Sequence, residues 1–422
     1  MFQNSLQFAQ EQDQQDSLKS YREQFHIPKD KNGKDLIYFT GNSLGLQPKS
    51  VRDYIEVELK DWETLGVEGH FHGKNPWFGY HKMFEEPVAR LVGALPHEVT
   101  VMNTLTTNLH LMMVSFYRPT KERYKILVEA AAFPSDQYAV ESQVRFHGFS
   151  PENAIIEISP REGEYTIRKE DILQKIEENE ESLALVMIGG VNYYTGQAFE
   201  MEKITAAAHK VGALAGFDLA HAAGNLHLQL HDWNIDFAVW CSYKYLNSGP
   251  GGVSGLFVHE KWADDANLPR FAGWWGYDEG TRFQMKKGFM HMHGAAGWQL
   301  SNAQILPMAA HKASIDIFDK IGMKTLREKS DRLTGFLEFL INENMKERGE
   351  VSFKIITPTD PKQRGAQLSI LALENGKQLF QRLTDNGVIA DWREPNVIRV
   401  APVPLYNTFE DVYNFVEILF SE

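Results

Sequence analysis

The sequence predicts an α/β protein with a mostly parallel central sheet covered by helices, followed by a smaller α+β module. Between about residues 85 and 260, short continuous apolar runs alternate with amphipathic stretches. Continuous apolar strands separated by helices are typical of a parallel sheet that is buried on both faces. After residue 305 the pattern changes to a long helical region followed by short strands and helices. A chain of 422 residues is long enough for both units.

The elements follow one another in chain order. The predicted strands are KILVEA (125–130), NAIIEIS (153–159), LALVMIGG (183–190), ALAGFDLA (213–220), FAVWCS (237–242) and GLFVHE (255–260). The predicted helices between them span 134–148, 168–182 and 201–212, and the last ends at a glycine, a common helix stop. Further helices are predicted over roughly 306–347, 376–386 and from 408, with strands in SFKIITP, QLSILAL and NVIRVAP. We place a large domain at 45–305, and a small domain that combines an N-terminal arm (1–44) with 306–422.

Composition and charge narrow the classes of partner. The formal net charge is −13, so an acidic surface would repel nucleic acids and anionic membranes. The single cysteine, Cys241, rules out an intramolecular disulfide and a zinc–thiolate cluster, and we expect no resident metal. The N-terminal segment lacks a signal-peptide pattern, and no segment approaches the roughly eighteen apolar residues of a membrane helix. We therefore expect a cytoplasmic protein that binds neither nucleic acid nor membrane.

Two charged residues at the ends of predicted strands suggest the chemistry. Asp218 ends the strand in GFDLA, and Lys244 follows the apolar run FAVWCS. In a parallel sheet ligands collect at the carboxyl ends of strands. A buried carboxylate needs a partner such as a protonated ring nitrogen, and desolvation there favours a free, nucleophilic amine. A pyridoxal phosphate enzyme requires both groups, although a buried ion pair, or side chains reaching to water, would give the same two residues.

Two further features are compatible with such a cofactor. In VMNTLTTNLHLMMVSFY (101–117) a polar turn leads into a helix, whose first N–H groups, with the hydroxyls of Thr106 and Thr107, would bind a phosphate. An ordinary threonine cap is the alternative. His221 lies three residues beyond Asp218, where it would stack on the ring or hold the aspartate, unless its role is only structural.

Eight segments taken together resemble the kynureninase family over nearly the whole chain. They are GNSLGLQPKS (41–50), GHFHGKNPW (69–77), MNTLTTNLHL (102–111), AFPSDQYAVESQVRFHG (132–148), GVNYYTGQ (190–197), GFDLAHAAGN (216–225), WCSYKYLNSGPGG (240–252) and RVAPVPLYNTFEDVY (399–413). The resemblance implies the fold type I, aspartate aminotransferase-like architecture, pyridoxal 5′-phosphate as cofactor, and a homodimer with shared active sites. The implied reaction is hydrolytic Cβ–Cγ cleavage of L-kynurenine or 3-hydroxy-L-kynurenine, in tryptophan catabolism or NAD biosynthesis. The implied products are anthranilate or 3-hydroxyanthranilate and L-alanine.

The resemblance also implies residue roles. Lys244 would link covalently to the cofactor and move a proton, Tyr243 would bind the phosphate and exchange a proton at Cβ, and Asp218 would hold the pyridinium nitrogen. The full set of implied cofactor residues is Leu105, Thr106, Phe133, Pro134, Ser135, Asp136, Asp218, His221, Tyr243, Lys244, Asn302 and, from the second subunit, Trp274. The set implied for the substrate is Ser43, His70 and Asn302 around its aromatic end and Arg399 at its carboxylate.

Some of these positions have other interpretations. Trp274 would also suit a subunit interface, Arg399 a structural ion pair and Asn302 a helix cap. Gly189 departs from the pattern, because many relatives carry a side chain there, often serine, and any cofactor contact through it is lost. His70 and Asn302 resemble residues of kynureninases that favour 3-hydroxykynurenine, so we expect that preference.

Three alternative functions remain open. A cysteine desulfurase needs a nucleophilic cysteine on a mobile loop, whereas Cys241 lies in the strand before Lys244. An aminotransferase would need a keto acid acceptor. A scaffold that kept the fold and lost activity would have no need of Asp218, Tyr243 and Lys244 together.

Overall fold

A seven-stranded sheet forms the centre of the molecule. The computed structural model describes residues 2–349 and 351–421. The strands in chain order are β1 (Ile37–Tyr38), β2 (Val99–Met102), β3 (Lys125–Glu129), β4 (Ile155–Ile158), β5 (Leu183–Gly189), β6 (Leu214–Asp218), β7 (Phe237–Cys241), β8 (Ser254–Val258), β9 (Phe353–Ile355), β10 (Leu368–Ala372), β11 (Val388–Ile389), β12 (Asp391–Arg393) and β13 (Val397–Val400). The central sheet has the strand order β2-β8-β7-β6-β5-β3-β4.

Five neighbouring strands of this sheet run parallel. They are β7, β6, β5, β3 and β4, while β8 and β2 continue the sheet in antiparallel pairing. Every residue of β5, β7 and β8 is buried. Because both faces of these strands are covered, their sequences read as continuous apolar runs. The prediction of a mostly parallel, helix-covered sheet is confirmed.

Helices pack on both faces of the central sheet and in the C-terminal part of the chain. They are α1 (Leu6–Gln15), α2 (Val51–Leu65), α3 (Gly69–His72), α4 (Lys82–Val92), α5 (Leu105–Phe116), α6 (Pro134–Phe146), α7 (Pro151–Ala154), α8 (Lys169–Glu178), α9 (Met201–Lys210), α10 (Ile305–Ile321), α11 (Met323–Arg348), α12 (Gly376–Asp385) and α13 (Phe409–Leu419). Alternate strand residues belong to different apolar clusters: Leu127 packs with the helices α4, α9 and α10, and Val128 packs with α5 and α6. Period-two alternation thus divides the core between two faces.

A second, antiparallel sheet follows in the C-terminal part of the chain. Its strand order is β12-β13-β10-β9. A separate apolar cluster joins this sheet to α11 and α13 and includes Ala9 of α1 and Phe39 from the N-terminal segment. The predicted α+β module is therefore present, with the N-terminal arm packed against it. The boundaries at residues 45 and 305 stay a prediction.

The long helical region predicted at 306–347 is two helices. Gly322 separates α10 from α11 and has a φ of 81°, a backbone conformation that glycine adopts without steric cost. The apolar pattern continues through the break, so it does not reveal it. Within residues 2–349 and 351–421, no helix has the length and apolar content that crossing a membrane requires.

A buried ion pair fastens the N-terminal arm to α11. Lys329 Nζ lies 2.7 Å from Asp16 Oδ2, and each side chain is only 6% exposed. Asp16 Oδ1 also accepts a hydrogen bond from the Leu18 amide at 2.9 Å. Burial lowers the pKa of Lys329, and Asp16 opposes that shift. Asp16 therefore stabilises an ammonium group that would otherwise be costly to keep in the interior.

We expect Asp16→Ala to destabilise the protein by about 3–5 kcal/mol, because Lys329 would keep a buried charge without its partner. Denaturant unfolding measures the change in the free energy of unfolding. Glu11→Ala, at an exposed position of the same arm, is the matched control and should change stability by less than about 0.5 kcal/mol. Equal effects of the two substitutions would contradict this interpretation.

Candidate active site

The ends of four parallel strands and the starts of two helices surround one cavity. It has a volume of about 170 Å³ and lies where β3, β5, β6 and β7 end and where α5 and α6 begin. Its lining residues are Leu105, Thr106, Glu129, Phe133, Ser135, Asp136, Gly189, Val191, Tyr193, Asp218, Ala220, His221, Cys241, Tyr243 and Lys244. The cavity brings together nine predicted cofactor residues, namely Leu105, Thr106, Phe133, Ser135, Asp136, Asp218, His221, Tyr243 and Lys244. Pro134 is the first residue of α6.

Lys244 reaches the cavity from the turn after β7. The strand itself ends at Cys241, and a turn that includes the hydrogen bond from the Asn247 amide to the Lys244 carbonyl follows it. Lys244 Nζ lies 3.1 Å from His221 Nε2 and 5.8 Å from the centre of the Phe133 ring. Burial and the nearby Lys244 charge hold the pKa of His221 well below its usual value. A neutral imidazole can accept a hydrogen bond from the lysine, so His221 is placed to orient the amine.

Asp218, which is buried, and Asp136, which is half-buried, form a carboxyl pair. Asp218 is the last residue of β6, and its Oδ1 accepts a hydrogen bond from the Ala220 amide at 2.6 Å. Burial and the neighbouring Asp218 raise the pKa of Asp136 well above its usual value, and burial also raises that of Asp218. The Ala220 amide and the charge of Lys244 stabilise an ionised Asp218. We therefore assign the proton to Asp136, which leaves Asp218 as the anion.

The residues of the cavity fit pyridoxal phosphate. An anionic Asp218 suits a pyridinium nitrogen, and Lys244 supplies an amine for the aldehyde. The cap residue of α5, Thr104, bonds to the Thr107 hydroxyl and makes no side-chain hydrogen bond to the helix backbone, so the first amides of α5 stay available for a phosphate. His221 Nδ1 is buried without a partner among the described residues, a polar atom that a ligand would satisfy.

Tyr243 lies beside the only cysteine. Burial, together with the neighbouring Cys241 thiol, raises the pKa of the Tyr243 phenol above its usual value. The phenol is thus protonated near neutral pH and available as a donor. Cys241 is itself buried, and burial raises the pKa of its thiol. A buried, protonated thiol at the end of β7 is unsuited to nucleophilic attack.

Glu129 is a site residue that our sequence analysis missed. It ends β3, lines the cavity and accepts a hydrogen bond from Asn192 Nδ2 at 3.2 Å. Burial raises its pKa to about 7. A buried carboxyl at the end of an apolar strand was the feature that identified Asp218, and the same feature in KILVEA identifies Glu129.

Glu129 also explains why residue 189 has little room for a side chain. A Cβ atom built on Gly189 would lie 3.1 Å from Glu129 Oε1, closer than most side-chain contacts. In this chain the glutamate carboxyl therefore lies against the position of a residue-189 Cβ atom and would have to shift by a few tenths of an ångström to admit one. The cofactor contact that such a side chain makes in the family pattern stays an open prediction.

Arg399 and Ser43 meet outside the cavity lining, at Asp391. The Arg399 side chain forms an ion pair with Asp391, and Ser43 Oγ donates to Asp391 Oδ2 at 2.9 Å. Arg399 Nη1 also donates to the carbonyl of Tyr193, a cavity residue, at 2.6 Å. Arg399 thus takes part in an ion pair, as in the structural interpretation, and also borders the cavity. Its contact with the substrate carboxylate stays a prediction.

His70, Trp274 and Asn302 do not line this cavity. Trp274 is 40% exposed, and its ring packs edge-on against Phe283, with 6.0 Å between the ring centres. His70 packs edge-on against Trp77, and Asn302 is exposed. The roles predicted for these three residues, and the preference for 3-hydroxykynurenine that depends on two of them, stay predictions.

Comparisons with known proteins show the family of the chain. A model of the class-V aminotransferase family matches residues 37–364, and a model of the kynureninase C-terminal domain matches residues 326–419. The kynureninase of Flavobacterium psychrophilum is 59% identical over 99% of this chain and 98% of that protein. The chain belongs to the kynureninase family. The kynureninases of Myxococcus xanthus (58% identical, covering 99% of this chain and 97% of that protein) and Nematostella vectensis (51%, 98% and 93%) are also similar.

Solved structures of more distant proteins share the fold. A cysteine desulfurase from Thermococcus onnurineus has a TM-score of 0.72 at 18% identity, covering 91% of this chain and 93% of that one. C-DES with glycine covalently linked to its PLP cofactor has a TM-score of 0.77 at 15% identity, covering 95% and 99%. The fold type I architecture is confirmed, and pyridoxal 5′-phosphate is the cofactor of this enzyme. The aminotransferase, desulfurase and scaffold alternatives are not favoured.

The raised pKa of Glu129 predicts that the free energy of unfolding depends on pH. The unfolded carboxyl loses its proton near 4.5 and the folded one near 7, so the unfolded state binds fewer protons between these values. Wild-type stability should therefore fall as pH rises through this window. Between pH 5 and pH 8 we expect the free energy of unfolding of wild type to fall by about 2–3 kcal/mol relative to that of Glu129→Gln.

Urea unfolding of the cofactor-free proteins at several pH values measures this difference. Glu157→Gln removes an exposed carboxyl from the neighbouring strand β4 and serves as the control. Its free energy of unfolding should change with pH in parallel with that of wild type. Parallel profiles for Glu129→Gln and wild type would refute a protonated, buried Glu129.

Proposed function

We propose that this enzyme hydrolyses the Cβ–Cγ bond of L-kynurenine or 3-hydroxy-L-kynurenine, releasing L-alanine and anthranilate or 3-hydroxyanthranilate. Membership of the kynureninase family supports the reaction. The observation that carries the assignment to a site is the convergence of Lys244, Asp218 and Tyr243 on one cavity. The product would enter tryptophan catabolism or NAD biosynthesis.

Five polar residues of the cavity would have roles in this reaction. The bound cofactor supplies an electron sink for charge that develops on the substrate. Lys244, oriented by His221, would transfer a proton between the substrate Cα and the cofactor C4′. Tyr243, protonated at neutral pH, would exchange a proton at the substrate Cβ and bind the phosphate. Asp218 would stabilise a protonated ring nitrogen, with Asp136 donating its proton to Asp218 in a hydrogen bond.

Binding residues would orient the two ends of the substrate and the cofactor phosphate. Leu105 and Thr106 begin α5 and would meet the phosphate with their amides. Phe133 lies at the cap of α6 and would stack on the cofactor ring. Arg399 would bind the substrate carboxylate, for which a planar guanidinium is well shaped.

We further propose a cytoplasmic homodimer whose subunits share active sites. The surface around Trp274 is unusually apolar: Phe283 is 59% exposed, Met285 70% and Met290 50%. Exposed apolar side chains in one region mark an interaction surface. A twofold dimer through this surface is the arrangement in which we expect Trp274 to reach the phosphate of the partner's site. A single cysteine suits a reducing compartment.

The first test is a product assay without a keto acid acceptor. After addition of pyridoxal phosphate, we expect L-alanine to form in equal amount to the aromatic product. That product is anthranilate from L-kynurenine and 3-hydroxyanthranilate from 3-hydroxy-L-kynurenine. Lys244→Ala should lower the rate by at least about 1,000-fold, because it removes both the covalent attachment and the proton transfer.

Borohydride reduction of the wild-type holoenzyme, followed by peptide mapping, should place the cofactor on Lys244. Wild-type enzyme that forms no alanine until a keto acid is added would instead support an aminotransferase. A Lys244→Ala protein with wild-type activity would eliminate the proposed site.

The second test is complementation between two weakly active variants. If Trp274 acts in the partner's site, a mixture of Lys244→Ala and Trp274→Ala subunits regains one intact site in each mixed dimer. Random mixing would then restore roughly a quarter of the wild-type sites.

The control pair is Lys244→Ala with Tyr243→Phe, two residues of the same cavity. Both sites of that mixed dimer stay defective, so activity should not return. Recovery with the control pair, or none with the Trp274 pair, would contradict a shared site.

A further inference from the structure

Asp391 lies directly opposite Arg399 in the antiparallel sheet. It is the first residue of β12, and the pairing of β12 with β13 aligns the Cα atoms of Asp391 and Arg399. Directly opposed residues on neighbouring strands have side chains on the same face and close together. The sheet register therefore places this carboxylate and the guanidinium side by side on one face of the sheet.

Three donors from separate parts of the chain converge on one oxygen of Asp391. Oδ2 forms the ion pair with Arg399 Nη2, accepts from Ser43 Oγ at 2.9 Å, and accepts from Arg393 Nη2 at 3.2 Å. Ser43 belongs to the N-terminal segment, and the two arginines belong to β12 and β13. We call these four residues the Asp391 cluster.

Within the described part of the chain, the Arg399 guanidinium has hydrogen-bond partners for two of its nitrogen atoms and none for the third. Nη1 donates to the Tyr193 carbonyl at 2.6 Å, while Nη2 contacts Asp391. Arg399 is 1% exposed, and its Nε has no hydrogen-bond partner among the described residues. An unpaired buried donor on a charged group is costly unless a ligand accepts from it.

The charges of the Asp391 cluster do not cancel. Arg393 and Arg399 bring two positive charges, and Asp391 brings one negative charge. The remaining positive charge lies beside Tyr193, which lines the cofactor cavity. One carboxylate of an incoming amino acid would complete the neutralisation. Without Asp391, two like charges would face each other and separate.

We propose that Asp391 is a positioning residue for substrate binding: it holds Arg399, Arg393 and Ser43 in the arrangement that receives the substrate carboxylate. The inference rests on the proposed function, since it assigns the amino acid end of that substrate to Arg399. Asp391 itself does not touch the reacting atoms. It fixes the orientation of Arg399 and leaves one positive charge for the ligand.

The opposite role for Asp391 makes an opposite prediction. A carboxylate that merely occupies Arg399 until substrate arrives is a competitor, and its removal would tighten binding of the substrate carboxylate. A positioning carboxylate strengthens that binding, and its removal weakens it. The sign of the change in affinity therefore decides between the two roles.

The experiment compares holoenzymes of wild type and Asp391→Asn. L-Alanine and ethylamine, which lacks the carboxylate, are titrated against the cofactor absorbance band. We expect Asp391→Asn to weaken L-alanine binding by about 10- to 100-fold, as for loss of a hydrogen bond to a charged group, and to leave ethylamine binding nearly unchanged. With kynurenine, the loss should fall mainly on KM rather than on kcat.

Two further variants control for charge and geometry. Glu394→Gln removes one negative charge at the turn residue that directly follows β12, from a side chain that is 67% exposed and paired with Lys377 rather than with the Asp391 cluster. It should leave L-alanine binding unchanged. Asp391→Glu retains the charge at a shifted position and should fall between Asp391→Asn and wild type. Thermal unfolding of every variant checks that it is folded.

The outcomes separate this inference from the proposed function. Wild-type enzyme that binds L-alanine but cleaves neither kynurenine would overturn the proposed reaction, while the effect of Asp391→Asn on L-alanine would still test the cluster. L-Alanine affinity that is unchanged or higher in Asp391→Asn would overturn the positioning role, whatever the reaction proves to be. Equal weakening of ethylamine and L-alanine would also overturn it, because the effect would not depend on the carboxylate.

Discussion

The active site depends on the ionisation states of two neighbouring carboxyl groups at the edge of the central sheet. Asp218 has to be ionised, and Asp136 has to be protonated. Asp218 ends β6, in the middle of the sheet, where water has little access, yet its role requires a negative charge. The Ala220 amide, the Lys244 charge and the proton on Asp136 together stabilise that charge. Burial alone would protonate Asp218. The neighbouring groups therefore determine whether the cavity can hold a protonated ring.

The same edge explains why much of the site could be predicted from sequence. An apolar strand that stops at a charged residue is visible in the sequence as a local pattern, and Asp218 and Lys244 were found in this way. The mostly parallel character of the sheet follows from the same pattern, because each buried strand is continuous in hydrophobicity. Family resemblance then added residues such as Phe133 and Arg399 that no local pattern singles out.

Other parts of the site could not be predicted because they depend on contacts between distant segments. Asp391 meets Ser43 across 348 positions of sequence, and no spacing rule connects them. The break between α10 and α11 depends on a backbone angle at Gly322 rather than on hydrophobicity. Glu129 is a different case. Its position at the end of a strand is visible in the sequence, but its place in the cavity and its closeness to Asn192 and Gly189 are seen only in the structure.

The hydrogen bond from Arg399 to the Tyr193 carbonyl has a mechanical consequence. Arg399 belongs to the antiparallel sheet, and Tyr193 belongs to the loop after β5 of the central sheet. The group that would recognise the substrate thus links the two sheets, together with hydrogen bonds to the same loop from Gln367, which directly precedes β10, and from Ser369 of β10. A small displacement between these sheets would impair recognition of the amino acid end, while the cavity residues around the ends of β3, β5, β6 and β7 kept their places.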